Sequence, residues 1–173
     1  MLPRALTLTL GLLAIPAATM AHEYSRGDLV IEHPWSRPTP PGTPMGVGYM
    51  TIHNHGEDPV VLVAGDTPVA ANVSIHETVS QDGLMKMRPL TSGLTIPAGE
   101  TIALKPHSYH LMLEQLEAPL KSGDEIPLTL TFDGLEPMEV WLHVDDQGGE
   151  PAMDHSDHSG RSGDSGHADH SDH

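Results

Sequence analysis

The chain has 173 residues, with 8 Lys and Arg against 24 Asp and Glu, a formal net charge of −16 and no cysteine. The missing thiol excludes a disulfide scaffold, a zinc finger, a thioredoxin-type redox motif, a Cys nucleophile and a blue-copper centre, whose metal needs a thiolate. The acidic balance argues against nucleic acid and anionic membrane surfaces as partners, since both require a basic patch. With only 3% aromatic residues, the core has to be built from Val, Leu, Ile and Met.

Residues 1–21 read MLPRALTLTLGLLAIPAATMA. One arginine, an apolar run and a small-residue end at Thr19-Met20-Ala21 predict a secretory signal peptide. The run is short for a transmembrane helix; an uncleaved anchor is the alternative. Cleavage after Ala21 puts His22 at the new N-terminus, and Ala18 is a second candidate. The mature protein is expected in the periplasm, with residues 22–146 forming one domain of ordinary size and residues 147–173 a tail.

From Asp28 to Val144 short apolar runs alternate with Pro, Gly and Asp, and no helical period is sustained. Leu29–Ile31, Gly48–Ile52, Val60–Val63 and Val73–His76 read as strands, as do Ile102–Leu104, His110–Leu113, Leu128–Phe132 and Val140–Val144. Turn signals at Pro40-Pro41-Gly42, Asp82-Gly83, Pro97-Ala98-Gly99, Ser122-Gly123-Asp124 and Asp133-Gly134 separate them. Many short strands at this spacing predict an all-β fold, an antiparallel sandwich or barrel. Asp82-Gly83 reads as a hairpin tip that sets the His76 strand beside one carrying Met85 and Met87.

That hairpin matters because of what the strands carry. Ten residues separate His76 from Met87, and twenty-two separate Met87 from His110, with Met112 two further on. Residues i and i+2 of a strand share a face, so His110 and Met112 point together, as do Met85 and Met87. Two imidazoles and two or three thioethers from three strands make a soft donor set. Thioether selects Cu(I) and suits Zn²⁺, Ca²⁺ or Mg²⁺ poorly. The alternative is that these methionines only fill a core, the usual work of Met.

The stretches Pro34-Trp35-Ser36-Arg37, Gly48-Tyr49-Met50-Thr51-Ile52-His53-Asn54, His76-Glu77 and Gly83-Leu84-Met85-Lys86-Met87-Arg88-Pro89-Leu90 resemble the PCu(A)C family. So do Ile96-Pro97-Ala98-Gly99 and Leu104-Lys105-Pro106 through Tyr109-His110-Leu111-Met112-Leu113. This family comprises periplasmic copper chaperones with a cupredoxin-like β-sandwich, and the resemblance runs from about Leu29 to Val144. The family's spacing of His, Met and His-x-Met maps onto His76, Met87, His110 and Met112, with one residue more in the long gap. The resemblance therefore implies a non-enzymatic, monomeric carrier holding Cu(I) through these four. It also implies delivery to a cytochrome c oxidase copper centre, alongside a Sco-type thiol protein. Met85 is either a spare donor or packing beneath the site. His107 is a departure, since related sequences carry Lys-Pro-Gly-Gly in this loop; it is either an extra donor at the mouth or a solvated loop residue. His53 and His55 form a His-x-His that could chelate a metal on one strand face; around Asn54-His55-Gly56 they are expected instead to be exposed loop residues.

After Val144 the apolar pattern stops. The segment is dominated by Gly, Ser, Asp and His, with Met153 as its one sizeable apolar residue, and a disordered tail is expected. His155, His158, His167, His170 and His173 recur with Asp beside or near them. Such His/Asp tracts suit Cu(II), Zn²⁺ or Ni²⁺ better than Cu(I). The resemblance implies a second, Cu(II)-preferring site there, with Met153 as an optional extra donor. Two rivals stand beside the chaperone: a periplasmic copper or zinc buffer in which the tail matters most, and a dismutase-like copper enzyme.

Overall fold

The computed structural model describes residues 23–146. The leader assigned to residues 1–21 and the tail at 147–173, with its histidines and Met153, lie outside the described residues. Eleven strands run in chain order: β1 (Glu23–Arg26), β2 (Leu29–Ser36), β3 (Met45–Asn54), β4 (Val60–Asp66), β5 (Ala70–Gln81), β6 (Leu84–Pro89), β7 (Leu94–Ile96), β8 (Thr101–Leu104), β9 (Tyr109–Leu116), β10 (Glu125–Phe132) and β11 (Met138–Val144). There is no helix among the described residues. The all-β expectation holds, and every strand read from the sequence is present.

Pairing runs β5–β9–β3–β2–β11–β10–β4 and returns to β5 through Gly65 opposite Val73. The sheet thus closes on itself as a barrel, which removes most of the edges an open sandwich would leave. Most pairs are antiparallel, as expected; β11–β2 and β8–β9 are parallel. Two short strands, β1 and β7, escape a reading by hydropathy: one is Glu-Tyr-Ser-Arg and the other three residues long.

Alternation along the strands fills the interior. Ile31, Ile52, Leu62, Leu111, Leu128 and Val140 are fully buried, and Phe132, the chain's one phenylalanine, joins them. Pro34 cannot donate to the ladder, and β2 absorbs it at an irregularity between Glu32 and Trp35, with His33 at φ 48°. Buried Asn54 fastens the far end of β3: its Nδ2 donates to the carbonyls of Asp58, Ile96 and Pro97, and its Oδ1 accepts from Gly56 N–H.

The hairpin read from Asp82-Gly83 is present. Gln81 pairs with Leu84, and the two intervening residues have φ 55° and 76°, the conformation of a type I′ turn. β6 lies at the end of the pairing order, bonded to β5, so the hairpin stands as an arm on the barrel.

Candidate metal centre

The register decides which side chains meet. In β5, Val73 and Ile75 point into the core, so Ser74, His76 and Thr78 point outward. Across the β5–β9 ladder His76 lies opposite His110 and Ser74 opposite Met112; across β5–β6, Thr78 lies opposite Met87 and Ser80 opposite Met85. Directly opposed residues share a face. All five donors singled out from the sequence therefore lie on one outer face, spread over three adjacent strands.

Their surroundings differ. His110 and Met112 are buried although they face outward, because β3 presents Val47 and Tyr49 beside them and the arm rises on the other side. Met85 and Met87 are 55% and 60% exposed. Between wall and arm opens a cavity of about 440 Å³, lined by Met85, Met87, His107, His110, Met112, Arg37 and Tyr49 among others. Met85 is thus not packing beneath the site. His107 is exposed at the same cavity, in a turn closed by Ser108 N–H donating to Lys105 C=O. In the wall behind, the Trp35 and Tyr49 ring centres lie 4.5 Å apart, and the Arg37 guanidinium lies 5.6 Å from the Trp35 ring centre. Burial raises the Tyr49 pKa, opposed by Arg37, so the phenol stays neutral.

His76 does not line the cavity itself. It stands behind His110, the two rings edge to face with centres 5.8 Å apart. Its Nδ1 is buried with no hydrogen-bond partner, while Nε2 lies 3.4 Å from Ser74 Oγ. An orphaned buried lone pair is costly, and a metal ion is one group that would satisfy it. His110 Nδ1 lies 3.0 Å from the Ser108 carbonyl, leaving its Nε2 for a ligand. Burial, reinforced by His110 and opposed by Glu114, lowers the His76 pKa, which favours the neutral imidazole that binds metals.

Ser74 and Glu114 complete the picture, and sequence reading passed over both. Ser74 Oγ donates to Glu114 Oε1 at 2.5 Å and Asn72 Nδ2 donates to Glu114 Oε2 at 3.1 Å. These two hydrogen bonds lower the Glu114 pKa. The signal was available: Ser74 is two residues before His76 and Glu114 two after Met112, so strand alternation puts them on the donor face.

His53 departs from expectation. It is not a loop residue but sits in β3, half-buried. Its Nδ1 lies 2.8 Å from Thr101 Oγ1 and its Nε2 2.9 Å from Glu32 Oε2. The ring stacks on that of His55, which is exposed as expected. With both ring nitrogens engaged, His53 is a structural residue. Among the described residues no group of three or more His, Cys, Asp or Glu is placed to hold a metal ion.

The closed all-β fold is shared with PCuAC domains. The apo PCuAC domain from PmoF1 superposes with a TM-score of 0.61 at 27% identity, covering 72% of this chain and 98% of that domain. The Cu(I) form of DR1885 from Deinococcus radiodurans does so with a TM-score of 0.54 at 30% identity, over 75% of this chain and 83% of that one. The chain belongs to the LpqE-like family ("Putative lipoprotein LpqE-like"), which it matches over residues 29–144. It is 30% identical to "Putative lipoprotein Lxx21020" of Leifsonia xyli subsp. xyli, over 78% of this chain and 80% of that protein.

Proposed function

We propose that this protein is an exported copper chaperone that carries Cu(I) on His76, Met87, His110 and Met112. The observation that carries the reading is the convergence of two imidazoles and two thioethers on one outer face, beside a cavity open to solvent. A d¹⁰ ion makes no strong geometric demand, and soft sulfur with neutral nitrogen suits it. The Cu(I) form of DR1885 supports the choice of metal. Methionine in place of cysteine fits an oxidising compartment, where a thiol risks disulfide formation.

The arrangement divides holding from release. His110 and Met112 are fixed in the barrel wall, whereas Met87 is exposed on the arm, where an acceptor's ligand can displace it. Met85, on the same face of the arm, is a reserve donor. The acceptor we favour is a cytochrome c oxidase copper centre, served alongside a Sco-type assembly factor. The leader at residues 1–21 directs the protein to the periplasm. The His/Asp pattern of the tail favours a second role there: His155, His158, His167, His170 and His173, with Met153 nearby, collect Cu(II), which also serves copper buffering.

The test is a Cu(I) competition titration of the mature protein, of a form ending at residue 146, and of a His110→Ala/Met112→Ala variant. One tight equivalent in the first two, lost in the third, is the expected result. No tight Cu(I) binding without the tail overturns the reading and leaves a tail-driven buffer.

A further inference from the structure

The hydrogen bonds around the two histidines determine which nitrogen each presents. A carboxylate accepts hydrogen bonds and cannot donate them. At 2.5 Å from Glu114 Oε1, the Ser74 hydroxyl spends its single proton on that oxygen, a distance in the range of charge-assisted bonds. Ser74 Oγ then has only lone pairs for its other neighbour, His76 Nε2, at 3.4 Å. The proton in that contact belongs to the imidazole: Nε2 is the protonated nitrogen, and Nδ1 keeps the lone pair. Nδ1 is also buried with no hydrogen-bond partner. Asn72 holds the far oxygen of Glu114 at 3.1 Å, so the carboxylate is gripped from both sides.

At His110 the same reasoning gives the opposite outcome. The Ser108 carbonyl, 3.0 Å from Nδ1, accepts only. Nδ1 therefore carries the proton, and Nε2 is free. Metal-bound histidines ordinarily anchor the remaining N–H on a carboxylate or carbonyl, which fixes the ring and its tautomer. Here the anchors are a Ser–Glu relay for one ring and a backbone carbonyl for the other.

We propose that Ser74 and Glu114 are positioning residues that hold His76 as its Nε2–H tautomer, so that Cu(I) is bound by Nδ1 of His76 and Nε2 of His110. The metal arm of this inference rests on the copper reading above; the tautomer arm does not. In Glu114→Gln the amide oxygen accepts from Asn72 and the NH2 faces Ser74 as a donor, which releases the Ser74 proton toward Nε2 and undoes the selection.

The experiment is long-range ¹H–¹⁵N correlation of the imidazoles in the full mature protein, near neutral pH, with His76 assigned by difference against His76→Gln. Before metal is added, the result expected is a protonated Nε2 and a bare Nδ1 at His76. A proton on Nδ1 overturns the proposal whatever the protein binds. On addition of Cu(I), which is diamagnetic, Nδ1 of His76 and Nε2 of His110 are the nitrogens expected to shift; a shift at Nε2 of His76 overturns the coordination mode. No shift at either histidine, with the apo tautomer as stated, is instead a failure of the copper reading. Ser74→Ala and Glu114→Gln are expected to weaken Cu(I) binding about 10- to 100-fold, as loss of such anchoring groups does. Ser74→Thr, which keeps the hydroxyl, is expected to retain parental affinity. Backbone spectra identify any variant that fails to fold, and Ser74→Ala binding copper like the parent in a folded state overturns the positioning role.

Discussion

His107 occupies a backbone position that suits another residue. Its φ is 62°, at the third position of a turn with Pro106 second and the Lys105–Ser108 hydrogen bond closing it, the arrangement of a type II turn. A left-handed non-glycine residue there costs roughly 1–2 kcal/mol, and glycine's extra freedom in the unfolded chain offsets roughly 0.5–1 of this. His107→Gly is expected to stabilise the protein by about 0.5–1 kcal/mol in a urea titration. A loss of stability shows that the imidazole makes contacts that outweigh the strain. The residue scale is also where the sequence was read most unevenly. His76, Met87, His110 and Met112 stood out because soft donors at those spacings are unusual, and the family resemblance named the same four. Ser74 and Glu114 did not, because serine and glutamate occur on any solvated strand face, and only the register shows that they meet. His53 was misread because Asn54 and Gly56 look like turn formers. Asn54 is instead buried, with its amide spent on the carbonyls of Asp58, Ile96 and Pro97.

Among the elements, the turn of the β5–β6 hairpin was legible, since Asp-Gly specifies a two-residue loop, whereas the reach of β5 from Ala70 to Gln81 was read only as Val73–His76. The closure of the sheet was not. It depends on Gly65 facing Val73, the one paired position between β4 and β5, and on the parallel pairing of β11 with β2, which hydropathy alternation does not encode. At Gly65 an added Cβ would come within 2.8 Å of Val73 Cγ1, and a branched, buried neighbour has little room to yield. Gly65→Ala is expected to destabilise the fold by about 1–3 kcal/mol, measured as a shift in urea midpoint. An unchanged midpoint shows that the seam relaxes without cost. β5 carries more than any other strand: it seals the barrel with Val73 and Ile75, presents His76, and anchors the arm. Damage at the seam is therefore damage to the donor face.

For the molecule as a whole, two groups of the site couple folding to pH. Burial and His110, against the pull of Glu114, leave His76 with a folded pKa below the ordinary 6.5. As pH falls the unfolded chain takes this proton first, so the contribution of His76 is intact above about 6.5 and declines from there toward the lower folded value. Glu114, held below the usual 4.5 by its bonds from Ser74 and Asn72, contributes above that value and loses its share as pH falls through its folded pKa. The urea midpoint of the metal-free protein is expected to begin falling below about pH 6.5, and His76→Gln is expected to remove this first decline. An identical profile in the variant assigns the decline to another group. The path of the last strand has a consequence of a different kind. Val144 lies opposite Ser36, Asp145 N–H donates to the Ser36 carbonyl, and the next residue, Arg37, lines the cavity. Residues 147–173 are therefore covalently tethered at the rim of the donor face. For two sites joined in this way, the effective concentration of one at the other is set by the tether and reaches the millimolar range. If the histidines at 155–173 hold metal as proposed, its transfer to the barrel of the same molecule is a first-order event, indifferent to how dilute the protein becomes.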